Sequence, residues 1–215
     1  DNTETWKYIR ITLKYNDVRC IGLVEDITDT AIEKENIEYE RDHDLLTGLL
    51  NRRAFNRIMT EMFDHEKTVL KTAALVMIDL DELKHVNDTY GHDYGDKYIR
   101  RAAECFEKYT PESTMICRRS GDEFNIFFYG YQNKDEIREC IRNLKEGIRK
   151  VSIHLPDHTE LPIRMSAGIA WYPDDSRIYQ ELKTYSDFAM YQIKHTSKNQ
   201  FGEFDKDAYL KDKYK

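Results

Sequence analysis

Along residues 6–15 (WKYIRITLKY) and 18–25 (VRCIGLVE), frequent apolar positions predict two strands. Asn16-Asp17 between them suits a tight turn. Two strands bury too little to stand alone, so they read as the tail of a larger sheet domain. Residues 29–44 (DTAIEKENIEYERDHD) carry no Gly or Pro and only a sparse apolar set, Ile32, Ile37 and Tyr39. This predicts an exposed linker helix, either solvated or paired in a coiled coil. From Leu45 the pattern changes. Asn51 can cap a helix to about residue 65, with Ala54, Phe55, Ile58, Met59, Met62 and Phe63 at helical spacing. A short apolar run, 73–79 (AALVMID), predicts a buried strand ending in an acid. A polar, glycine-bearing loop at 87–96 then leads into a helix over about 94–108. Strands at 114–118 and 124–129, a helix at 134–150, a strand at 161–171, a helix at 178–195 and a last strand at 200–204 complete the pattern. The order α-β-α-β-β-α-β-α-β predicts an α+β fold, a mixed central sheet with helices packed on it.

The 215 residues suffice for one substantial domain and an appendage. With 40% hydrophobic and 34% charged residues the composition is globular rather than disordered. No apolar run reaches the length of a membrane span, and no signal-peptide pattern opens the chain. The first residue is Asp1 rather than Met, so the chain is expected to be a piece of a longer protein whose absent N-terminal regions could hold a sensor or a membrane anchor. A net charge of −7 argues against a broad nucleic-acid surface. Cys20, Cys105, Cys117 and Cys140 form no CxxC pair, which suits reduced thiols in the cytoplasm.

Three groups of residues are candidates for chemistry. Asp79 ends the apolar run, and Asp122-Glu123 lie between two strands, so all three acids stand where strands end, the usual rim for sites in α/β sheets. Convergent carboxylates suit magnesium, although acids are also ordinary turn formers. The stretch Asn87 to Asp96 is dense in polar groups, and Asn and Asp side chains can read a guanine edge. The plainer alternative is a capped loop, with His92 a structural hydrogen-bonding group. Lys194 and Lys198 close a helix, where they suit the helix dipole or could hold phosphates.

Taken in order, residues 43–56 (HDLLTGLLNRRAFN), 77–96 (MIDLDELKHVNDTYGHDYGD), 118–124 (RRSGDEF), 165–170 (MSAGIA) and 188–199 (FAMYQIKHTSKN) resemble the motifs of GGDEF domains, covering about residues 43–205. The resemblance implies a fold like the palm of nucleotide polymerases and cyclases. It also implies a diguanylate cyclase that condenses two GTP into cyclic di-GMP as a homodimer, under a sensor's control. It makes Asp79, the Leu80 carbonyl and Asp122 magnesium ligands, with manganese a substitute, and Glu123 the adjacent signature acid. It places Asn87, Asp96 and His92 on substrate-binding positions, and Lys84, Lys194 and Lys198 on phosphate-contacting ones. The last is more usually Arg, whose bidentate fork Lys lacks. The proton acceptor stays open between Asp122, Glu123 and a metal-bound hydroxide. Residues 1–28 resemble the end of a PAS sensor, with Asp26-Ile27-Thr28 like the motif that joins PAS to an output helix. The expected division is thus 1–28 sensor tail, 29–44 linker helix and 45–215 GGDEF domain. Two departures stand out. Ser120 replaces the first Gly of the signature, at a cost on the order of 1 kcal/mol if the position needs positive φ. Pro111-Glu112-Ser113-Thr114 stands where many members carry the Arg-x-x-Asp product brake. The rival readings are a degenerate domain that binds GTP or a partner without turnover, and a mononucleotide cyclase.

Overall fold

The computed structural model describes residues 6–16, 18–65 and 70–213, and the chain divides into two compact units, residues 1–42 and 43–215. In the first, β1 (Ile9–Tyr15) pairs antiparallel with β2 (Cys20–Asp26). Asn16 closes the turn by accepting from the amides of Val18 and Arg19 through its side chain. Asp17, the second residue of the expected turn, and residues 1–5 lie outside the described residues. Helix α1 (Thr28–Asp42) follows. Its start is tied to the hairpin: Asp26 accepts from the Thr28 amide and hydroxyl, and the Tyr8 carbonyl accepts from the Ile27 amide. Ile11, Leu13, Ile21, Leu23 and Val24 are all exposed on this two-stranded ribbon.

In the second unit a six-stranded mixed sheet carries helices on both faces. The elements are β3 (Leu50–Asn51), α2 (Arg52–His65), β4 (Thr72–Leu80), α3 (Leu83–Tyr90), α4 (His92–Tyr109), β5 (Met115–Ser120), β6 (Glu123–Tyr131), α5 (Lys134–Ile148), β7 (Ser152–His154), β8 (Glu160–Pro162), β9 (Met165–Tyr172), α6 (Tyr179–Thr196), β10 (Phe201–Glu203) and α7 (Lys206–Lys213). The sheet order is β10-β9-β4-β6-β5-β3, with β4 central and antiparallel to both neighbours. Because side chains alternate along a strand, β4 feeds two cores. Ala74, Val76, Ile78 and Leu80 meet α4 and α5 on one face; Ala73 and Leu75 meet α2 and Leu182 of α6 on the other. Asn51 caps α2 as expected, its side chain accepting from the Ala54 amide.

Two expectations need correction. The segment from Asn87 to Tyr90 is not loop but the second half of α3, separated from α4 by Gly91 alone, at φ +89°. Leu83 and Val86, three residues apart, are buried beneath the helix, a signal too short to rise above the polar residues around it. The single strand expected over 161–171 is two. Leu161 pairs with Ile153 in a small β7–β8 hairpin, and β9 begins only at Met165. Pro162 has no N–H for an interior ladder, which suits an edge ending there.

Candidate functional site

The acids converge at one end of the central sheet. In the β4–β6 ladder Asp79 faces Glu123, and in the β4–β9 ladder it faces Ser166. The hairpin between β5 and β6 is fixed beside β4, since the Leu80 amide donates to the Asp122 carbonyl at 3.0 Å. Lys194, from the last turn of α6, reaches Asp79 with an Nζ–Oδ2 distance of 2.5 Å. Burial pushes the Asp79 carboxyl up to about 6; the hydrogen bond from Lys194 opposes that, and the nearby charges of Asp122 and Asp81 add to it. A carboxylate held this far out of water calls for a cation. Among the described residues no group of three or more His, Cys, Asp or Glu side chains is arranged to hold a metal. Two carboxylates with a main-chain carbonyl need no third such side chain, and their all-oxygen chemistry fits magnesium, which keeps part of its water shell.

Ser120 sits in this hairpin without strain. The positive φ falls on Gly121, at +46°, and not on Ser120, which ends β5 and donates from its hydroxyl to Glu123 Oε2 at 3.1 Å. The residue expected to cost energy at the turn therefore orients the signature acid instead.

A second locus lies where α3 meets α4. A Cβ built on Gly95 would stand 1.9 Å from Asn87 Oδ1, so the Asn87 side chain rests directly on the backbone of α4, next to Asp96. Any side chain at residue 95 would displace it. Asn87 and Asp96 are both half-buried, whereas Lys84 and His92 stand exposed on the same corner.

Lys198 lies beyond α6 in a loop where it and Asn199 both have positive φ, +42° and +47°. Asp81 holds that loop in place. Its Oδ2 accepts from the Asn199 amide at 3.1 Å, and both its oxygens accept from the Ser166 hydroxyl. Its own carbonyl accepts from the buried Tyr98 hydroxyl. In the sequence only its spacing of two from Asp79 singles out Asp81.

Asp79, Asp122, Glu123 and Lys194 are thus brought together. Asn87 and Asp96 form their own locus, and Lys198 is carried on a loop that Asp81 ties to the end of β4.

The family model described as "Diguanylate cyclase, GGDEF domain" matches residues 41–200. An uncharacterized membrane protein of Staphylococcus aureus strain USA300 is 32% identical over 163 residues, 76% of this chain and 45% of its own length. The chain therefore spans less than half of that relative, and among the described residues no helix is long and apolar enough to cross a membrane. A structure of TpbB (YfiN) from Pseudomonas aeruginosa comprising only the GGDEF domain superposes with a TM-score of 0.71 at 25% identity, over 79% of this chain and 99% of that one. A sensory box/GGDEF family protein from Caulobacter crescentus gives 0.62 at 30% identity, over 73% and 99%. The coiled coil and GGDEF domain of Caulobacter DgcB, solved with c-di-GMP, shares the fold at 0.71 and 22% identity, over 82% and 93%.

Proposed function

The chain belongs to the GGDEF domain family, and from that premise we propose that it is an active diguanylate cyclase, joining two GTP into cyclic di-GMP with release of two pyrophosphates. The observation that carries the reading is the set Asp79, Asp122, Glu123 and Lys194 at one sheet end, with both metal-ligand acids intact and Ser120 fitted rather than strained.

In this reading the guanine lies at the α3–α4 corner. Asp96 accepts from its N1–H and N2–H, and Asn87 pairs with the remaining edge. His92 and Lys84 border the substrate from the same corner. Lys194 exchanges Asp79 for the terminal phosphates, and Lys198 joins it from the anchored loop. Magnesium held by Asp79, Asp122 and the Leu80 carbonyl would neutralise charge on the phosphates and favour ionisation of the attacking hydroxyl. Two subunits face one another, each with one GTP. The 3′-oxygen of each nucleotide forms a bond to the α-phosphorus of the other, and the bond to the leaving pyrophosphate breaks. In this reading Asp122 or Glu123 takes up the 3′ proton. Positioning and electrostatics supply most of the acceleration. Helix α1 joins this domain to a sensor of which residues 1–28 are the tail, and the catalytic part works in the cytoplasm, whether or not other regions anchor it.

Incubation of the full-length protein with GTP and magnesium, with products identified by mass, tests this. Cyclic di-GMP is expected. Bound but unconverted GTP would establish the degenerate reading, and cyclic GMP would establish a mononucleotide cyclase.

A further inference from the structure

On the α2/α6 face of the sheet, beyond Glu123 as seen from Asp79, three basic side chains from different elements gather over a polar spot in an otherwise apolar layer. Arg119 lies on β5; its Nη1 is 3.3 Å from Met77 Sδ and 3.7 Å from Glu123 Oε2. Arg52 is the first residue of α2, in whose first turn Asn51 caps the Ala54 amide and the other amides have no partner within the helix. Lys183 is on α6, its Nζ 5.2 Å from the centre of the Tyr179 ring. Tyr179 in turn ties the two helices by donating to Asn56 Oδ1 at 2.7 Å. Lys183 is held below its ordinary pKa, first by burial and then by the charges of Arg119 and Arg52. Among the described residues Glu123 is the ion-pair partner of Arg119, and Lys183 donates to Gln180 Oε1 at 3.2 Å. Asn125, on β6, is the register partner of both Cys117 and Met77, the residue whose sulfur Arg119 touches. It is 2% exposed, and its buried Oδ1 has no hydrogen-bond partner. A buried polar atom without a partner is rare enough to need an explanation. An amide presents either end on a half-turn of its last torsion.

We propose that Arg52, Arg119, Lys183 and Asn125 form an anion site for a phosphate group, separate from the one expected of Lys194 and Lys198. A phosphate answers each feature. Its charge offsets three cations facing one carboxylate. Its oxygens accept from the guanidinium forks and the α2 amides. Singly protonated, it also offers both a donor and an acceptor to Asn125. The site goes beyond the cyclase reading and does not depend on it. The phosphate comes either from a nucleotide or from inorganic pyrophosphate.

The test is an NMR titration of the isotope-labelled 215-residue chain with inorganic pyrophosphate, GMP and GTP in separate arms, in metal-free buffer. Saturable shifts are expected at the Arg119 side-chain N–H and the Asn125 amide. The arm that saturates at the lowest concentration identifies the source. The double variant Arg119→Ala/Lys183→Ala should raise the midpoint at least about tenfold, as expected for losing two charge-assisted contacts, while Arg119→Lys retains most of the binding. No saturable shift at Arg119 and Asn125 in the unaltered chain overturns the proposal, as does a midpoint that a folded double variant leaves unchanged. Binding here, together with no cyclic di-GMP from the full-length protein incubated with GTP and magnesium, would sink the cyclase reading alone.

Discussion

Arg118 donates from Nη1 to both carboxylate oxygens of Asp44, at 3.1 and 3.2 Å, while its Nε and Nη2 grip the Gly121 carbonyl at 3.1 and 2.9 Å. One guanidinium thus clamps the turn that presents Asp122 to the segment before α2. Asp44 in turn accepts from the amide and hydroxyl of Thr47. The residues HDLLTG are therefore a support for the signature hairpin, and the planar fork of Arg is what lets one side chain hold two partners.

Replacing Arg118 with Ala leaves Asp44 and the Gly121 carbonyl without this donor. Because the pair is largely shielded from water, the loss should destabilise the protein by about 2–4 kcal/mol, the scale for charge-assisted hydrogen bonds and an unpaired buried group. Arg118→Lys should recover less than half of it. Urea titration of the three proteins checks both. An Arg118→Ala variant within about 0.5 kcal/mol of the parent, the usual surface-substitution range, would show that the clamp carries no weight.

Gly95→Ala should act on substrate affinity rather than on the acids. The added Cβ would overlap Asn87 Oδ1, forcing that side chain off the guanine locus while Asp79 and Asp122, on β4 and the β5–β6 hairpin, stay in place. The expected result is a KM for GTP raised about tenfold or more, by loss of roughly one hydrogen bond to a polar partner, with kcat changed far less. Steady-state kinetics separates the two; an unchanged KM would remove Asn87 from the binding site.

Asp79→Asn and Asp122→Asn should each abolish cyclic di-GMP formation with the fold intact. Asp122 is in a turn, and Asp79 is a buried acid that burial already pushes toward its neutral form, so a neutral amide costs the packing little. Product analysis by mass alongside circular dichroism decides it. Near-normal turnover in either variant would refute the metal assignment.

Much of this architecture was legible because long apolar periodicities dominate it. The buried strand at 73–79 and the amphipathic helix at 134–150 are recovered as β4 and α5 with small shifts in their ends. What escaped was short or non-local. Helix α3 rests on Leu83 and Val86, too few to show a period. Strand β3 is two residues, held by parallel pairing with β5 far along the chain. Asp81 is one acid among several in the sequence, and only the fold brings Ser166 and Asn199 to it. Ser120 stands where the family signature has a glycine, but the backbone puts its left-handed residue one position later, at Gly121, which no local pattern announces.

The final prediction concerns feedback. In many relatives an Arg-x-x-Asp tetrad before the signature grips cyclic di-GMP through a guanidinium and a carboxylate. Here the tetrad is Pro111-Glu112-Ser113-Thr114. Pro111 has no side-chain donor, and Glu112 would repel a phosphate. The surroundings make no amends. A cavity of about 340 Å³ beside the tetrad is lined by Glu107 and Glu112, with His43 and Thr114, so acids outnumber permanent cations on its wall. Arg118, the nearest guanidinium along the chain, is engaged by Asp44 and Gly121. Losing both anchors should weaken product binding at this place by several kcal/mol, at roughly 1.5–3 kcal/mol for each charge-assisted contact. Activity should then continue as product accumulates to concentrations that silence relatives bearing the tetrad. Calorimetric titration with cyclic di-GMP, with Glu112→Ala as the locating variant, tests this directly. Sub-micromolar binding that this substitution alters would show that the brake had been rebuilt from other residues.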